Sequence, residues 1–119
     1  MSPVLRAGSL LEHIRHMCER PRMFAPDFTL HHLHLYILGY EDALGDAKLP
    51  SQYHLFKEWI YRQHPKWRDS PEWWAGHLLE ANASDLERTL DEIIRLLDQF
   101  LATEGAKFVH FPIQQDPED

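Results

Sequence analysis

A single cysteine, five scattered glycines and no apolar run near the roughly 20 residues of a membrane span are the first features of this 119-residue sequence, and each excludes something. Cys18 on its own can close no internal disulfide and cannot build a cysteine-based zinc knuckle, which suits a reducing compartment. The glycines at 8, 39, 45, 76 and 105 lie too far apart to cradle a phosphate. The opening residues "MSPVLRAGSL" contain no secretory apolar core, so the expectation is a soluble, cytoplasmic protein with no membrane partner. Without export, the acceptor pattern Asn82-Ala83-Ser84 meets no glycosylating enzyme.

Positive charge is also scarce. The formal net charge is −7, and it is unevenly placed: residues 1–79 balance nine acids with nine bases, whereas residues 80–119 hold ten acids against Arg88, Arg95 and Lys107 alone. Nucleic-acid binders carry the opposite sign, so no nucleic-acid partner is expected. An acidic surface instead attracts basic partners and speeds their encounter, besides serving plain solubility.

Apolar residues make up 44% of the chain and aromatic residues 12%, enough for one hydrophobic core over a single domain, 1–119, with 1–8 and 112–119 as flexible ends. "SLLE" at Ser9–Glu12 and "SDLE" at Ser84–Glu87 have capping-box form, marking helix starts. From Ser9 the residues Leu10, Leu11, Ile14, Met17 and Cys18 recur at helical spacing until Pro21, which predicts a helix over about 10–19. "RPRMFAP" reads as a connection. Asp27 is placed to cap a second helix to about Leu44, and Ser51 starts a third that ends before Pro65. Ser70 at a cap with Pro71 at the first helical position predicts a fourth helix to about Ala81. The fifth, from Asp85 to about Glu104, has the cleanest stripe, Leu86, Leu90, Ile93, Ile94, Leu97, Phe100 and Leu101, and is expected to be the central packing element. Beyond it "KFVHFP" alternates like a short extended strap. The fold expected is all-α: a single-domain, mostly antiparallel bundle of about five helices with a short extended C-terminal strap.

Histidines are the first chemical candidates. His13 and His16 on the first helix and His31 and His34 on the second form two pairs at i, i+3, a spacing that lets imidazoles share a metal. Their placement on the flanks of the apolar stripes argues against convergence, because His16 points nearly opposite the core-facing side of its helix. Cys18 borders an apolar stripe and does not face His16, which reads as packing. Paired acids such as Glu41-Asp42 and Asp91-Glu92 diverge on a helix, a poor start for acid–base work. No catalytic residue and no cofactor is indicated. Phe56, Trp59 and Ile60 share a core face, as do Trp74 and Leu78, whereas Trp73 projects about 100° from Trp74 toward the surface and is a candidate interface anchor.

On the last helix Glu87, Asp91 and Asp98 fall within about 40° of one another with no base of that helix between them. They form the candidate contact line for a basic partner. Arg88 with Glu92, and Asp91 with Arg95, stand at i, i+4 and are expected to pair.

The order Arg20-Pro21-Arg22-Met23-Phe24, a helix ending "LGYEDAL", then Phe56 and Trp59 and a closing "LLDQFL", resembles small, largely uncharacterised bacterial helical proteins, some of which look like immunity proteins of polymorphic toxin systems. The likeness covers roughly residues 9–102 and rests on sparse positions. It implies a helical protein with a macromolecular partner and carries over no catalytic residue. The leading expectation is therefore a non-catalytic binding protein, an immunity-type inhibitor of a basic toxin. Two alternatives stay open: a metal-binding protein or metal-dependent enzyme built on His13, His16, His31 and His34, and a structural homo-oligomer using exposed aromatics.

Overall fold

Six helices and one short strand pairing are seen in the computed structural model, which describes residues 6–7, 10–46, 52–103 and 111–112. Helix α1 spans Leu10–Glu19 and buries all five residues of its apolar stripe, Leu10, Leu11, Ile14, Met17 and Cys18. Pro21 cannot continue an α-helix and instead opens a 3-10 turn over Pro21–Met23. Helix α2 is Leu30–Asp46, α3 Gln52–Gln63, α4 the single turn Pro65–Arg68, α5 Trp74–Ala81 and α6 Leu86–Thr103. Strand β1, Arg6–Ala7, pairs antiparallel with β2, Phe111–Pro112, so part of the expected strap is present as a contact between the two ends of the chain. The other residues assigned to flexible ends, the Ser9 and Ser51 caps, and the end of the last helix at Glu104–Gly105 lie outside the described residues.

Helix α6 packs against α1, α3 and α5, the central position its stripe predicts. Buried side chains from α1, α2, α3, α5 and α6 form one cluster. Its aromatic centre is Phe56, edge-on to Trp74 at 5.4 Å and to Phe100 at 5.5 Å between ring centroids. Such pairs contribute about 0.5–1.5 kcal/mol beyond simple burial. The one polar atom that Trp74 brings into this core is satisfied, because its Nε1–H donates to the Tyr53 hydroxyl at 2.8 Å. Thr89, the buried polar residue of α6, donates its hydroxyl hydrogen to the Asp85 carbonyl one turn back at 2.8 Å.

Three helix starts differ from the sequence expectation. Helix α2 begins three residues after Asp27, where Thr29 and His32 form the cap: the Thr29 N–H donates to His32 Nδ1 at 3.0 Å, a histidine acting where a capping box would carry glutamate. Helix α5 begins at Trp74 rather than at Pro71. Ser70 Oγ accepts the Glu72 N–H and the Glu72 carboxylate accepts the Trp73 N–H, each at 3.1 Å, so the segment before Trp74 finds its partners without helical bonds. Gly76 leaves the space that the Glu72 side chain occupies over the first turn. At α6 the cap is Asp85, whose Oδ1 accepts the Arg88 N–H at 3.1 Å. Ser84 has a φ of 64°, next to Ala83 at 54°, and gives its own N–H to the Leu79 carbonyl at 2.8 Å. It therefore closes α5 instead of opening α6.

Candidate functional site

Where α1 ends, Pro21 and Pro26 bracket a segment that cannot be helical throughout, and its 3-10 turn stands beside the first turns of α6. Between them lies an open groove of about 870 Å³. Glu19 and Asp27 contribute from the side of α1 and the turn, and Asp85, Glu87 and Asp91 from α6, against the two bases Arg20 and Arg22. Buried Cys18, Phe28 and Leu90 supply apolar lining, and Met23, 73% exposed, stands on the turn with Phe24, 52% exposed, next in sequence. Five carboxylates, a few apolar side chains and the exposed Met23 make a surface suited to a basic segment with apolar residues in it.

Glu87 and Asp91 thus share a groove, but Asp98 does not belong to it. Its two carboxylate oxygens are held at 3.1 Å by Nε and Nη2 of Arg15, which also meets Glu19 at 2.7 Å. The contact line expected along α6 is engaged at its Asp98 end by a base from α1. Nor do the two helical ion pairs form: Glu92 accepts from the Asn82 side-chain amide at 2.8 Å, and Asp91 lines the groove. Asp27, expected as a helix cap, and the turn, expected as a plain connection, both line the groove. The sequence signal for an exposed apolar turn is the pair Met23-Phe24, apolar residues between two prolines with no helical stripe to join.

Trp73 is half-buried and stacks on His34 at 4.2 Å with the rings 14° from parallel, so it ties α5 to α2 instead of standing free as an anchor. Among the tryptophans, Trp59 and Trp74 are buried and Trp67 is half-buried between His64, at 3.8 Å, and His77, at 4.9 Å. The exposed aromatics expected of a homo-oligomer are therefore not tryptophans.

The four candidate histidines go separate ways. His13 is half-buried at the α1–α2 contact, hydrogen-bonded through Nδ1 to the Tyr36 hydroxyl and edge-on to Tyr40 at 5.4 Å. His16 is exposed, 3.7 Å from Glu19; His31 is exposed; His34 lies under Trp73. No three metal-ligating side chains come together among the described residues. The geometric reason is the one visible in the helical wheel, since the apolar stripes turn inward and carry these imidazoles to different sides. Cys18 is equally unsuited to nucleophilic work: burial, then Glu19 and Asp91, push its thiol up to about 12.

No helix among the described residues is long and apolar enough to cross a membrane. No protein-family model, curated protein or solved structure matches this chain.

Proposed function

We propose that this chain is a non-catalytic cytoplasmic binding protein whose groove between the Pro21–Met23 turn and α6 receives a basic segment of another protein, the immunity-type inhibitor that the sequence pattern resembles being the most concrete form of that reading. The observation that carries it is the gathering of Asp27, Glu87 and Asp91 around apolar lining, from elements far apart in sequence, beside Glu19 and Asp85, which Arg15 and the Arg88 N–H already engage. Charge of one sign at a groove rim steers an oppositely charged partner and raises the rate of encounter, while the apolar lining and the exposed Met23 provide contact area after docking.

The test is a pull-down from the source cell in low salt with the wild-type chain and with a Glu87→Gln/Asp91→Gln/Asp27→Asn variant, both checked for folding by circular dichroism. A basic protein retained by the wild type, lost from the variant and released as salt rises supports the reading. The same retained set on both chains, or none on either, removes it.

A further inference from the structure

Helix α2 has two dissimilar faces. Leu30, Leu33, Ile37 and Leu44 are buried. Nearly opposite, His31, Leu35, Leu38 and Asp42 fall within about 60° of one another at ~100° per residue. Leu35 and Leu38 stand 55% and 53% exposed in the middle of that outer face, the place where a solvated helix carries lysine or glutamate. His31 and Asp42 flank them, both exposed, and neither makes a hydrogen bond or ion pair among the described residues. Gly39, beside Leu38, has open space where a side chain would stand, so one flank of the face is low.

These four positions are symmetric about the midpoint between Tyr36 and Ile37. From this we infer that the outer face of α2 is a two-fold self-association surface, on which a second copy of the chain docks antiparallel. A two-fold axis through the midpoint sets Leu35 against the partner's Leu38 and His31 against the partner's Asp42, each contact occurring twice. The imidazole donates an N–H to the carboxylate, and the leucines cover each other. A parallel arrangement would place carboxylate on carboxylate, which is repulsive. A foreign helix has no reason to match this spacing of histidine and aspartate, whereas a second copy matches it by symmetry. The surface is independent of the groove reading, since it uses no residue of the turn or of α6. One helix face per copy is small for an interface, so the association is weak, with a dissociation constant on the order of tens of micromolar.

Sedimentation velocity on the full chain from about 5 to 500 µM tests it, a range spanning the expected constant. The wild type should shift reversibly from monomer to dimer. Leu38→Glu, at an exposed position, should keep its helical circular dichroism and weaken association by at least about tenfold. His31→Asp and Asp42→Lys should each weaken it by roughly threefold or more, and the double variant His31→Asp/Asp42→Lys should return to within about twofold of wild type, because the charge pair is rebuilt with its sign reversed. A monomer at every concentration overturns the inference, as does a dimer indifferent to Leu38→Glu or a double variant no better than the single ones.

Discussion

Arg15 on α1 grips Asp98 on α6 with two parallel hydrogen bonds of 3.1 Å, Nε to Oδ1 and Nη2 to Oδ2, across 83 positions of sequence. The bonds to Asp98 push the guanidinium up from its usual value, against the opposing effect of burial. Both side chains meet solvent, which limits the energy. A double-mutant cycle with Arg15→Gln and Asp98→Asn, read by urea unfolding, should give a coupling of about 0.5–1 kcal/mol that shrinks in ~1 M salt. Because Asp98 is already engaged, Asp98→Asn should leave binding of a basic partner unchanged where Glu87→Gln and Asp91→Gln slow it.

Burial of Cys18 predicts an unreactive thiol and a particular alkaline weakness. Its folded value of about 12 lies above the ordinary 9.0. The neutral thiol is therefore favoured in the folded state: the stabilisation is complete below pH 9 and is lost as pH rises toward 12. Tyr53, also pushed up by burial, adds to the loss in the same direction. Cys18 alone should lower stability by on the order of 3 kcal/mol across that alkaline range. Iodoacetamide at pH ~8 should label the native chain at least about 100-fold more slowly than the guanidinium-unfolded chain, measured by mass spectrometry.

The turn between α5 and α6 holds two consecutive non-glycine residues in the left-handed region, Ala83 and Ser84. An L side chain there costs roughly 1 kcal/mol, which glycine avoids at the expense of a freer unfolded chain. Ala83→Gly should raise unfolding stability by about 0.5–1 kcal/mol, seen as a higher urea midpoint with unchanged slope. A lower midpoint would show that the backbone is not strained at this residue.

His77 contributes a stacked ring and an idle atom. Its Nε2 is buried with no hydrogen-bond partner among the described residues, while the ring lies 8° from parallel with Trp67. Replacing an unsatisfied buried nitrogen by carbon removes its desolvation cost and keeps the stack, so His77→Phe should stabilise by roughly 0.5–1 kcal/mol in thermal or urea unfolding. Equal loss of stability in His77→Phe and His77→Ala would mean that the nitrogen has a partner.

Much of the fold was legible in the residues alone, for a local reason. Leu10, Leu11, Ile14, Met17 and Cys18, like Leu90, Ile93, Leu97 and Phe100, recur at the helical period, so any helix that forms puts them on one side, and a water-exposed stripe of that width is not stable. The Phe56–Trp59–Ile60 face followed from the same spacing. Helix starts were less legible because a cap contributes only about 1 kcal/mol. Burying Trp74 against Tyr53 and Phe56 outweighs a favourable Ser70-Pro71 start, and Thr29 with His32 displaces Asp27.

The groove was hidden for a different reason. Periodicity describes one helix at a time; it set Glu87, Asp91 and Asp98 on one flank and could not show what stood opposite. Docking of α1 against α6 brought Arg15 to Asp98 and left Glu87 and Asp91 facing Asp27. That choice rests on the relative placement of two helices, which is governed by side-chain packing between them rather than by any interaction within four residues of the chain. Local hydrogen bonding and hydrophobic spacing were enough to specify the helices and their inner faces, while the partners of each outward charge depended on the packed assembly.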